Sequence, residues 1–106
     1  MKVYFENFAS LEDVIESFCI NPSVVEGIEI IYAAYDTPAY EGYAHVIFIS
    51  NGKVYEVNGS HCSCYGLEEQ WGPEETLVSA LLSRPNVDER AKNNLKEYFK
   101  DLLVFL

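Results

Sequence analysis

Residues 43–57 read YAHVIFISNGKVYEV, and the fold turns on how this stretch is paired. Two runs rich in β-branched and aromatic residues flank Asn51–Gly52. Both loop residues tolerate positive φ, which the two-residue type I′ hairpin turn requires. With that loop, Ser50 faces Lys53, Phe48 faces Tyr55 and Val46 faces Val57, and these six side chains share one face. His45, Ile47, Ile49, Val54 and Glu56 fall on the other. Both faces are apolar near the middle, so the sheet is expected to be covered fully on one face and partly on the other. His45, among apolar neighbours, reads as a core or edge histidine.

Upstream, Ile28–Tyr35 (IEIIYAAY) reads as a second strand and Lys2–Phe5 (KVYF) as a short one. The segment Asp36–Gly42 (DTPAYEG) joins the strands as a loop, since Pro38 cannot sit in a central strand. Ser10 is placed to cap a helix, with Asp13 as a weak capping-box partner. Leu11, Val14, Ile15, Phe18 and Cys19 then form one apolar stripe. Cys19 is read as a small core residue of that stripe, and Asn21–Pro22 ends the helix.

Downstream, Gly72–Pro73 is read as a second helix start, with Glu74 and Glu75 in its first turn and Leu77, Val78, Leu81 and Leu82 as its apolar side. Asn86 with Glu89 is read as the capping box of a last helix. Its core side is Ala91, Leu95, Tyr98, Phe99, Leu102 and Leu103. Arg90, Lys92, Lys96, Glu97, Lys100 and Asp101 form its solvated side. The expected fold is α+β: an antiparallel meander with a type I′ hairpin, flanked by about three α-helices, in a single domain spanning residues 1–106.

Composition agrees. Of 106 residues 49% are apolar and 14% aromatic, enough to build a core without staples. No apolar run reaches the roughly 20 residues needed to span a bilayer, and MKVYFENFAS carries no secretory apolar region. The expectation is a cytoplasmic protein with no membrane partner. Net charge is −10. Residues 1–83 hold 13 Asp and Glu against Lys2 and Lys53, a balance of −11, and residues 84–106 balance at +1. Such a field repels phosphate backbones, disfavouring direct nucleic-acid binding, and attracts a basic protein surface.

The unusual part of the chain is Gly59–Glu75, GSHCSCYGLEEQWGPEE. Zinc is one reading of His61, Cys62 and Cys64, but a structural site needs four ligands and there is no second pair. Cys19 and His45 would have to be borrowed. In an extended segment, Cys62 and Cys64 also point away from His61. A reactive thiolate is the second reading. The nearby Glu68, Glu69, Glu74 and Glu75 disfavour it, and Cys-x-Cys is not the redox spacing. Recognition is the third: Tyr35, Tyr40, Tyr43, Tyr65 and Trp71 interleave with Asp36, Glu41, Glu68 and Glu69. Exposed rings among carboxylates suit a basic partner with apolar pockets. The same rings could instead close the sheet's second face.

Residues His61–Glu75, together with the preceding EGYAHVIFISNGKVYEVNGS, resemble a motif of small proteins of tailed bacteriophages over residues 28–84. The resemblance implies an accessory protein acting in the bacterial host cytoplasm, where small acidic phage proteins bind and inhibit host enzymes or defence complexes, some by imitating DNA's charge. It brings no catalytic residue and no cofactor. The expected function is therefore binding, not catalysis: a basic host or defence protein engaged through Tyr35, Asp36, Tyr40, Glu41, Tyr65, Glu68, Glu69 and Trp71. The alternatives are a metal or thiol site at His61, Cys62 and Cys64, or a virion or assembly component.

Overall fold

The computed structural model describes residues 4–6, 8–36, 42–61, 67 and 70–99. The expectations for Lys2, for the body of the 36–42 loop, and for Lys100, Asp101, Leu102 and Leu103 fall outside them. The described elements form an α+β fold around a five-stranded sheet of order β1-β2-β3-β4-β5. The strands are β1 (Tyr4–Glu6), β2 (Glu29–Asp36), β3 (Gly42–Ser50), β4 (Lys53–His61) and β5 (Glu74–Thr76). The helices are α1 (Leu11–Phe18), α2 (Val78–Ser83) and α3 (Glu89–Tyr98), with a short 3-10 helix at Pro22–Val25.

The central hairpin keeps the expected register: Ser50 pairs with Lys53, Phe48 with Tyr55 and Val46 with Val57. Asn51 and Gly52 both take positive φ, 52° and 76°, as the two-residue loop demands. Strands β2 to β5 run as an antiparallel meander, but β1 departs from it by pairing parallel with β2, Tyr4 opposite Ala33. A parallel neighbour needs a crossover connection, and α1 is carried on that crossover.

One irregularity sets the two faces of β2. Ile31 is an extra residue between Ile30, opposite Phe48, and Tyr32, opposite Ile47. The bulge shifts the period-2 pattern by one, so Ile30, Ala33 and Tyr35 join one core while Ile31 and Tyr32 join the other. The Ile31 carbonyl accepts a 2.7 Å hydrogen bond from Asn94 Nδ2, tying α3 to the bulge.

Both faces of the sheet are covered. On the first, Val14 and Phe18 of α1 pack with Phe8, Val46, Phe48, Val57 and Leu67. On the second, Leu81 of α2 and Ala91 and Leu95 of α3 pack on Ile31, Ile47, Ile49 and Val54. The helices cover the middle of the second face, which stays partly open near His45, as the sequence leads one to expect. Lys92, expected in solvent, is 9% exposed. Its Nζ reaches Glu89 at 3.7 Å.

Three further expectations are revised. Residues 74–76 open no helix; they form β5, which takes the free edge of β4 with Glu75 opposite Tyr55. The α3 cap is Asp88, not Asn86: its Oδ1 accepts the Arg90 N–H at 2.8 Å. Cys19 is exposed and ends α1 in the left-handed region, φ 53° and ψ 46°. Ser10 does stand at the α1 N-cap, but its side chain makes no capping bond. Asp13 instead accepts from the Ala9 N–H at 2.7 Å.

The end of α1 makes a direct prediction. Cys19 N–H bonds Glu16 O and Ile20 N–H bonds Ile15 O, both at 3.2 Å, which is the paired closure of a Schellman motif. That motif favours glycine where Cys19 sits. The left-handed penalty exceeds the extra chain entropy glycine loses on folding. Cys19→Gly is expected to stabilise the protein by about 0.5–1 kcal/mol, a rise of roughly 4 °C in Tm. Thermal melts of both proteins under reducing conditions check it, and a lower Tm for the variant contradicts it.

Candidate functional site

The Gly59–Glu75 segment is anchored at both ends. At its start β4 runs on to His61, with Gly59 opposite Ala44 and buried. A Cβ on Gly59 would stand 3.0 Å from Leu67 Cδ2 and 3.2 Å from Phe18 Cε1, so glycine here permits close approach. At its end the Gln70 side-chain amide pairs with the backbone of Ser60, like the rung of a strand. Ser60 N–H donates to Oε1 at 2.8 Å and Nε2 donates back to the Ser60 carbonyl. Leu67, 1% exposed, plugs the first core beside this clamp.

Two of the expected recognition rings belong to that core. Tyr35 is 9% exposed and lies 5.3 Å from Phe8 between ring centres. Trp71 is half-buried, edge-on to Phe18 at 5.2 Å and stacked on Phe48 at 5.9 Å. With Phe8–Phe18 and Phe48–Tyr55 they complete one row of six rings under α1. Tyr35 is therefore no exposed contact, Trp71 is half-buried, and both lie on the first face of the sheet, not on the second face that the alternative reading of these rings expects. Tyr43, by contrast, is 60% exposed. Asp36 ends β2 and His61 ends β4. Tyr40, Glu41, Cys62, Cys64, Tyr65, Glu68 and Glu69 lie outside the described residues.

The zinc reading loses its borrowed ligands. Cys19 follows α1 on one face of the sheet, whereas His45 sits on the other, edge-on to Tyr32 with ring centres 6.0 Å apart. Among the described residues no group of three or more His, Cys, Asp and Glu could hold a metal ion.

On the second face the structure assembles a charged cluster that sequence reading missed. Glu56, 5% exposed, receives Arg84 in a two-pronged pair, Nη1 to Oε1 at 2.9 Å and Nη2 to Oε2. Asn58 Nδ2 adds a 3.0 Å bond to Oε1. The hydrogen-bonded Arg84 guanidinium is the main reason the Glu56 carboxyl is pulled down to about 2. His45 Nε2 stands 3.4 Å from Glu56 Oε1 and makes no hydrogen bond. Burial holds its imidazole below the ordinary histidine range, against the pull of Glu56, so the ring is neutral at pH 7. Close by, Asp88 is held down to about 2, chiefly by its hydrogen bonds from Arg90, and also bonds Tyr32. Burial, then the Asp88 charge, raises the Tyr32 phenol.

Tyr32, His45, Asn58, Arg84 and Asp88 of this cluster line an open cleft of about 670 Å³ between the sheet and the α2–α3 connection. Its polar atoms are largely spent on one another, so the cluster works first as a tie between β4 and that connection. One signal for it was visible in sequence: Glu56 is the sole carboxylate on a strand face otherwise formed by Ile47, Ile49, Val54 and His45.

The exterior is acidic in an ordered way. From residue 3 to residue 52 the chain has eight Asp and Glu and no Lys or Arg. Lys53, Arg84, Arg90 and Lys92 each stand within 4 Å of a carboxylate, which cancels much of the positive charge locally. Glu12, Glu16 and Glu26 on the α1 side are exposed, and among the described residues no base pairs with them. Among the described residues, too, no helix is long and apolar enough to cross a membrane.

The fold and its surface define a small acidic α+β protein with helices on both faces of one sheet. No protein-family model, curated protein or solved structure matches the chain.

Proposed function

We propose that the protein is an acidic binding protein that docks on, and blocks, a basic surface of a host or defence protein in phage-infected bacteria. The observation that supports it is the exposed carboxylates of the α1 side, which no base pairs with among the described residues, within a 50-residue stretch free of Lys and Arg. A field of one sign accelerates encounter with a partner of the opposite sign and suppresses contact with nucleic acid. The phage setting rests on the resemblance of residues 28–84. DNA mimicry is the narrower form of the proposal, and it requires carboxylates spaced like phosphates along one face. Tyr35 and Trp71 contribute by holding the fold, so recognition falls to charge and to rings that remain outside, such as Tyr43.

The test is capture from bacterial lysate on the immobilised chain, with bound proteins identified by mass spectrometry. Partners with a basic surface are expected at low ionic strength, and their release on raising salt to roughly 0.5 M, where the Debye length falls to a few ångströms. Recovery of no specific partner at low salt would sink the reading.

A further inference from the structure

The α1 side carries more than charge. Leu11 and Ile15 of α1 and Pro22 and Val25 of the 3-10 helix line an open groove of about 570 Å³ whose walls are mostly apolar. Glu12, Glu16 and Glu26 stand around it, and all three are exposed. Val24, next to the groove wall in sequence, is 50% exposed. An apolar trough ringed by exposed carboxylates, with no basic partner among the described residues, selects its occupant by two criteria together. The occupant must bring apolar side chains to fill the trough and positive charge to meet the rim.

We infer that this groove is a docking site for an amphipathic helical segment of a partner protein, with apolar anchors one turn apart flanked by Lys or Arg. This rests on the acidic binding reading and names the surface that does the binding. Nucleic acid and anionic membranes fail the charge criterion, because the rim repels phosphate. An extended peptide fails for another reason. The walls are side chains with no open strand edge among them, so a buried extended backbone would lack hydrogen-bond partners. A helix satisfies its own backbone and presents anchors at i and i+3 or i+4.

The test uses the full chain, 15N-labelled, titrated with stapled helical peptides of about four turns. The first peptide carries Leu anchors flanked by Lys. The second has Ser in place of Leu at the same charge, and the third has Glu in place of Lys with the same anchors. Expected are shift changes centred on residues 11–26 with the first peptide and affinity lower by on the order of tenfold with the second. No binding is expected with the third. Combining Glu12→Gln, Glu16→Gln and Glu26→Gln should weaken the first peptide by on the order of tenfold, whereas Glu74→Gln with Glu75→Gln should leave it unchanged. Shifts centred elsewhere, or equal affinity for the Leu and Ser peptides, overturn the groove and leave the acidic binding reading standing. Failure of every Lys-bearing peptide at low salt overturns both. The wild-type shift map decides the location even if the triple variant folds poorly.

Discussion

Arg84→Met is expected to destabilise the protein by about 3 kcal/mol. That is the lower end of the cost of breaking a buried ion pair, because Arg84 itself is 37% exposed while Glu56 is 6% exposed. The change leaves a carboxylate in the protein interior with only Asn58 bonded to it and His45 nearby. It also cuts the tie between β4 and the α2–α3 connection. In a protein whose total stability is of the order of 5–15 kcal/mol, the loss is large. Urea titration at pH 7 measures it, and an unchanged midpoint would mean that Glu56 finds compensation elsewhere.

The same pair governs acid stability. Glu56 titrates at about 2 in the fold against an ordinary value of 4.5. Its contribution is therefore complete above about pH 4.5 and lost as pH falls toward 2. Asp88, lowered from 3.8 to about 2, adds to the loss in the same range. Arg84→Met should flatten the Glu56 part of that slope, because the main cause of the lowered value is gone. A variant as acid-sensitive as wild type would assign the slope to other groups.

Leu67→Ala is the second large effect, expected at about 2–5 kcal/mol from lost burial and the cavity left behind. Leu67 is 1% exposed, packed in the first core against Gly59, and it is what the chain inserts there on its way back from β4. Tm should fall by roughly 9 °C or more for a domain of this size. A melt matching wild type would show that the return through residues 67–71 is peripheral to the core, and the row of rings through Trp71 would lose its structural meaning.

The central hairpin was legible because two independent signals agree there, a period-2 pattern and a loop chemistry that fixes register. Strand β5 was not. Glu74–Glu75 after Gly72–Pro73 has the composition of a helix start, and only the open edge of β4, formed far away in sequence, recruits it as a strand. Cys19 was misplaced because a stripe at helical spacing cannot reveal where the helix stops; here it stops one residue earlier. Asn86 and Asp88 are both capable caps, and Asp88 is selected by Tyr32 and Arg90, contacts that exist only after folding. The candidate site divides in the same way. The excess of carboxylates is plain in the sequence, but the Glu56–Arg84 pair joins residues 28 apart, and the burial of Tyr35 and Trp71 depends on the row of rings beneath α1.

The parallel pairing of β1 has a consequence for biosynthesis. Tyr4–Glu6 leave the ribosome ahead of their partners, because their place in the sheet is defined by Ala33–Tyr35, which emerge only after α1 and the 3-10 helix. Strand β1 must wait, unpaired, for its template, while β2, β3 and β4 zip together from adjacent chain. Its docking therefore closes the sheet on one side as a late event, and a nascent chain arrested before residue 36 should hold Tyr4–Glu6 still open to proteases and chaperones.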